Sequence, residues 1–153
     1  MQAKYINPFT NASVHLFNEF LGIDVKAGKP FLKEDPQELE EVSGIIGLAG
    51  ETVGAVVLSF SRDTAIRMVS LFEKKKYTAL TNEVIDGVGE LVNIIAGNAK
   101  KDLLDFRINI SLPGVVTGKS YQIHWPEGIP VITIPFDSEL GYFTVNVSLR
   151  DME

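Results

Sequence analysis

Two pairs of apolar runs, each pair split by a short polar turn, constrain this chain more than any other feature. Val42–Ala49 and Thr52–Phe60 flank Gly50-Glu51, and Ile129–Phe136 and Tyr142–Arg150 flank Asp137–Gly141. Runs of this length, rich in valine and isoleucine and joined by so little chain, predict antiparallel hairpins. A parallel doubly wound sheet needs a helical crossover between neighbouring strands, and these pairs have no room for one. Helical segments precede and separate the hairpins, so the predicted class is α+β, with helices packed on an antiparallel sheet.

The first helix signal opens at Asn7-Pro8-Phe9. Val14, Phe17 and Leu21, with Leu16 and Phe20, continue it at helical spacing, and Gly22 stands where a C-terminal cap belongs. A short strand is predicted at Ile23–Val25, and the charged stretch Lys33–Glu41 reads as a loop. Ser61 caps a helix running to about Glu73, and Lys74-Lys75-Lys76 at its end complements the helix dipole. The spacing predicts a long helix over Thr81–Phe106. Further strands follow at Ile108–Leu112, near Val115-Val116, and at Tyr121–His124.

The order helix, short strand, hairpin occurs twice, over Asn7–Phe60 and Thr81–Arg150. Asn11-Ala12 with Leu16-Phe17 and Ile23 lines up with Asn98-Ala99, Leu103-Leu104 and Ile110. A duplicated α/β unit is the reading, within one domain covering residues 1–153.

Composition removes much of the usual chemistry. Among 153 residues there is no cysteine, and the two histidines, His15 and His124, are far apart in sequence. Thiol nucleophiles, disulfides and cysteine-based metal sites are excluded, and two isolated histidines make a poor ligand set. A formal net charge of -6 argues against a dedicated nucleic-acid binder and, for the same reason, against an acidic partner or an anionic membrane surface. No segment approaches the roughly 20 apolar residues of a membrane span, and no signal-peptide core follows Met1. A soluble, cytoplasmic domain is expected, with no nucleic-acid partner and no membrane partner.

The stretch that carries chemistry lies inside the long predicted helix. At about 100° per residue, Asp86, Glu90, Asn93 and Gly97 fall within an arc of roughly 60°. Val84, Val88, Leu91 and Ile95 gather on the opposite, core-facing side. Gly87, Gly89 and Gly97 each cost a helix about 0.8–1.0 kcal/mol relative to alanine. Such a cost has two explanations, a docking surface that approaches the backbone or close packing against a neighbouring element. Docking is the better account of Gly97, and packing against the repeat-related helix competes for Gly87 and Gly89.

Glu90 and Asn93 lie one turn apart and point the same way. They form no nucleophile–base pair and no metal site, so they make no self-sufficient hydrolase. A carboxamide can orient a water, and a carboxylate can hold a cation in a partner's site. A solvated helix face is the alternative that residue chemistry leaves open.

Glu90-x-x-Asn93 followed by Ile94-Ile95-Ala96-Gly97-Asn98-Ala99, with Asp86 upstream, resembles the signature helix of the CheC/CheX/FliY chemotaxis phosphatases. Asn7-Pro8-Phe9, the Phe17–Gly22 helix end and Gly28-Lys29-Pro30 are similar to the N-terminal part of the CheX type. The resemblance implies a CheC-like fold and dephosphorylation of a CheY-like response regulator on its aspartyl phosphate. It implies that Glu90 anchors the complex on the regulator's active-site lysine and that Asn93 orients the attacking water. Asp86 and Gly97 then belong to the partner-binding face. The chain would need no cofactor of its own, because Mg²⁺ comes with the regulator, and a homodimer is expected. Glu-x-x-Asn occurs once, which fits the CheX type rather than the two-site CheC type. A non-catalytic CheC-like module that docks a regulator, and a scaffold subunit with this face buried in an interface, are the alternatives.

Overall fold

The computed structural model describes residues 3–150, so Met1-Gln2 and Asp151–Glu153, the ends of the expected 1–153 domain, lie outside the described residues. Its elements run α1 (Ala3–Leu16, continued by a π-helical turn, Phe17–Leu21), β1 (Lys26–Ala27), β2 (Phe31–Leu32), β3 (Val42–Gly50) and β4 (Gly54–Phe60). Then follow α2 (Arg62–Glu73), α3 (Asn82–Asp102), β5 (Ile108–Ile110), β6 (Gly114–Thr117), β7 (Ile132–Asp137) and β8 (Phe143–Leu149).

All eight strands form one antiparallel sheet in the order β1-β7-β8-β4-β3-β5, with β2 also on β7 and β6 also on β3. The two hairpins meet at β4 and β8, where Val57 faces Asn146 and Phe60 faces Phe143. The short strands after each helix are exchanged. Those following α1 pair with the second hairpin, and those following α3 pair with the first. This exchange gives the sheet a pseudo-twofold order and locks the two units together.

Strand alternation divides the sheet into two faces. Val42, Ile46, Leu58, Phe60, Ile134, Phe143, Val145 and Val147 point to the helices and join one core with Phe9, Leu16, Phe17, Val88, Leu91 and Ile95. Phe143 sits among Phe17, Phe60 and Phe136, with ring centroids 4.8–5.4 Å away. The opposite face carries Ser43, Ser59, Thr133 and Asn146, all buried. Thr133 donates to Asn146 at 2.8 Å, Ser43 and Ser59 share a bond of 2.9 Å, and Asn146 donates to the Val57 carbonyl. Their polar groups are matched inside the fold, as burial demands.

The α+β reading and the duplication hold, with several boundaries moved. Helix α1 starts at Ala3 rather than Asn7, because Tyr5 and Ile6 are themselves buried and extend the turn upstream of Pro8. No strand forms at Ile23–Val25. The Ile23 amide donates to the Phe17 carbonyl at 3.1 Å and Gly22 takes φ 69°, so this backbone closes the helix end. Pairing with β7 starts only at Lys26.

Tyr121–His124 is not a strand either. Gln37 clasps Ile123 by donating to its carbonyl at 2.8 Å and accepting from its amide at 2.7 Å. A side chain thus takes the bonds that a neighbouring strand would supply. Trp125 donates to the Pro36 carbonyl at 2.9 Å, and the Tyr121 hydroxyl meets Ser43 and the Glu40 carbonyl. The Lys33–Glu41 loop and residues 118–131 therefore cover the polar face of the sheet. The long helix stops at Asp102, short of Phe106, and strand β5 stops at Ile110, short of Leu112.

The aligned helix residues also shift by one turn. Tyr5, Ile6, Pro8, Phe9, Ala12, Ser13 and Leu16 are buried in α1, and their counterparts 83 residues later, Val88, Gly89, Leu91, Val92, Ile95, Ala96 and Ala99, are all buried in α3. The same spacing carries β1 onto β5 and β2 onto β6. Asn11 therefore corresponds to Ile94 rather than to Asn98.

Candidate functional site on the long helix

Thr81 begins α3 as its N-cap, its hydroxyl accepting from the Val84 amide at 3.3 Å. Lys100 and Lys101 close the last turn, where they oppose the dipole. Val84, Val88, Leu91 and Ile95 are completely buried against the sheet and α1. Burial of that stripe sets the helix's rotation and turns Asp86, Glu90 and Asn93 outward, where all three are exposed.

The neighbours of the glycines define the borders of this face. A methyl group built on Gly87 would stand 2.5 Å from Val69 Cγ1 of α2. Gly87 is thus a close-packing residue, and its partner is α2 rather than the repeat-related α1. On Gly89, a methyl would meet Val115 Cγ2 at 3.4 Å and Pro113 Cβ at 3.6 Å, so this side abuts the β5–β6 connection. On Gly97 it would meet nothing within 4 Å. The exposed face therefore runs between α2 on one side and the β5–β6 connection on the other, with an open backbone position at Gly97.

The β5–β6 connection contributes something the sequence reading missed. Leu112 was expected inside a strand, yet it stands 91% exposed beside Pro113 at the edge of this face. Pro113 was the available signal, since a proline lacks the amide that a continuing strand needs.

Chemically, the face offers two carboxylates and a carboxamide. His15 and His124 are exposed elsewhere, on α1 and in the covering segment. Among the described residues no three carboxylate or imidazole side chains come close enough to hold a metal ion. No described helix is long and apolar enough to cross a membrane. Such a face can position a water or a cation that another molecule brings, and it holds no electrophile of its own.

Residues 42–137 match the family described as chemotaxis phosphatase CheX. The chain belongs to the CheX family of chemotaxis phosphatases. The match takes in all of α3 and strands β3–β7. The CheY-P phosphatase CheX of Thermotoga maritima is 29% identical over 126 residues, covering 80% of this chain and 81% of that protein. A CheC-like superfamily protein from Shewanella superposes with a TM-score of 0.88 at 30% identity, over 98% of this chain and 99% of the other. CheX from Borrelia burgdorferi, solved in complex with CheY, BeF₃ and Mg²⁺, gives 0.81 at 28% identity over 96% and 98%. These superpositions establish the CheC-like fold across nearly the whole CheX-family chain.

Proposed function

We propose that this chain dephosphorylates a CheY-like response regulator by completing the regulator's own active site. The observation that carries the reading is the exposure of Glu90 and Asn93 one turn apart on α3, bordered by an open position at Gly97. An acyl phosphate is already an activated electrophile, so its hydrolysis depends mainly on positioning and charge stabilisation. In this reading Asn93 enters the regulator's site and aligns the attacking water with its carboxamide. Glu90 pairs with the regulator's active-site lysine and fixes the depth of insertion. Asp86 and Gly97 complete the docking face, Gly97 by admitting the partner to the helix backbone. Mg²⁺ arrives with the regulator, which explains how a chain without cysteine and with two separated histidines can serve as a phosphatase.

The complex of the Borrelia CheX with CheY supports the choice of regulator, as does the CheY-P phosphatase activity of the Thermotoga relative. With that partner goes a cytoplasmic location. A homodimer is part of the same proposal, supported by Phe31 and Leu32, which are 45% and 57% exposed on the edge strand β2. Light scattering of the purified chain measures that state directly.

The decisive experiment follows the decay of a phosphorylated cognate regulator with catalytic amounts of wild type, Glu90→Ala and Asn93→Ala. Asn93→Ala is expected to bind the regulator and fail to accelerate decay, and Glu90→Ala to bind weakly. If Asn93→Ala turned over as fast as wild type, the chain would act as a docking module or by another residue.

A further inference from the structure

The Lys74-Lys75-Lys76 triplet has a setting that a helix dipole does not explain. Together with Arg67, these lysines border a groove of about 530 Å³ on the outer side of α2, away from the Glu90–Asn93 face. Its floor is apolar, built from Ile66, Leu71, Tyr77 and Leu140. Arg67 donates to the Leu140 carbonyl at 3.4 Å, which ties the β7–β8 turn to α2 and closes one end of the groove.

Three observations converge here. Among the described residues the one ion pair is Lys4–Asp105, so none of the four cations around the groove is matched by a carboxylate of this chain. That concentration stands out on a chain of net charge -6. Lys74 occupies the C-cap with φ 57°, a left-handed position where glycine or asparagine is the ordinary residue. A side chain is kept there against the steric preference of the backbone. Finally, Glu73, the nearest carboxylate on the helix, is engaged inward by the Tyr77 hydroxyl at 2.6 Å. The dipole accounts for cations within the last turn. It accounts neither for Arg67, two turns upstream, nor for the apolar floor.

We propose that this groove docks an acidic segment of a partner protein, its apolar side chains seated on Leu71, Tyr77 and Leu140 and its carboxylates facing Arg67 and Lys74–Lys76. Apolar anchors flanked by complementary charge are a common form of peptide recognition. A membrane surface fits less well. Of the apolar floor only Leu71 is exposed, while Ile66, Tyr77 and Leu140 are half-buried, and anionic lipid binding needs a set of apolar groups that protrude. The groove is independent of the dephosphorylation face, and its proposal stands whether or not that reading does.

The test uses a random peptide library selected on the immobilised full chain, followed by affinity measurements with the synthesised consensus. Selected peptides are expected to be enriched in aspartate and glutamate interleaved with leucine or phenylalanine. Lys74→Glu/Lys75→Glu/Lys76→Glu is expected to bind roughly tenfold more weakly, the combined effect of several exposed charge pairs. Leu71→Ala should weaken binding with the charges intact, and amide shifts should map to Tyr77 and Leu140. No enrichment, enrichment without acidic bias, or binding that survives the triple reversal overturns the proposal. Capture by phosphatidylglycerol vesicles in place of peptides, lost on triple reversal, would replace it with a membrane site.

Discussion

Helices α1 and α3 occupy equivalent places in the two halves of the fold, share a burial pattern 83 residues apart, and differ in what they show outward. Where α3 carries Glu90, Asn93 and Gly97, α1 carries Asn7, Thr10 and Val14. Where α3 has Gly87 against Val69, α1 has Lys4, which is exposed and paired with Asp105 at 2.9 Å. The duplicated architecture thus provides two similar helix faces, of which one carries the Glu90–Asn93 pair. The contrast teaches that one fold can present two matched platforms that differ in their outward residues, to which the proposed function assigns the chemistry. Those outward residues are free to differ because they do not contribute to the core.

The sharpest way to break this comparison is to remove the equipment. Asn93→Ala should lower the turnover of phosphorylated regulator by about 100-fold or more, the scale seen when one preorganised transition-state contact is lost. Thr10→Ala, at the matched position of α1, should leave turnover unchanged. Both are read in the same phosphate-release assay. If Thr10→Ala were the damaging change, the assignment of the active face would be reversed.

The glycines give a second contrast, smaller and opposite in sign. Gly87→Ala should destabilise the fold by about 1–2 kcal/mol, because overpacking outweighs the gain in helix propensity. The obstruction is Val69 Cγ1, 2.5 Å from the new methyl. Gly97→Ala should stabilise by about 0.8–1.0 kcal/mol, since nothing stands within 4 Å. Denaturant melts measure both. In the same protein, Gly97→Ala should weaken regulator binding, and an unchanged affinity would remove Gly97 from the docking face.

The smallest effect concerns α2, which packs beside α3. The hydrogen bond to Glu73, with burial and the nearby carboxylates adding to it, pushes the Tyr77 phenol from its ordinary 10.0 up to about 12. A raised pKa in the folded state means a stabilising contribution that is complete below about pH 10 and lost as pH rises through about 12. The difference in tyrosinate absorbance between wild type and Tyr77→Phe should show a late-titrating phenol. A difference curve centred near 10 would mean the bond to Glu73 is absent in solution.

Elements whose stability is local were legible in advance. Ser61 begins α2 as its side chain predicts, α3 starts within a residue of Thr81, and Gly22 ends the first helix with its left-handed cap. The two hairpins lie where their apolar runs place them, within a few residues. Readings failed where distant partners decide. Ile23–Val25 is apolar enough for a strand, but the helix end takes the Ile23 amide and Lys26 is the first residue to find β7. Tyr121–His124 became a cover because Gln37, 86 residues from Ile123, satisfies its backbone. Gly87 packs on α2, which no periodicity within α3 could reveal.

The Glu90–Asn93 face shows the division most clearly. That the two side chains project together follows from the helical period, which is set by hydrogen bonds between residues four apart. Sequence by itself therefore determined the pair, the apolar stripe behind it and the α+β class. Only the tertiary structure decided that the pair lies exposed between α2 and the β5–β6 connection, with Leu112 at its border and the position at Gly97 left open. It also decided that each half lends its short strands to the other's hairpin. Those outcomes depend on surfaces meeting across the whole chain, and a strand of two to four residues has no local stability with which to announce its partner.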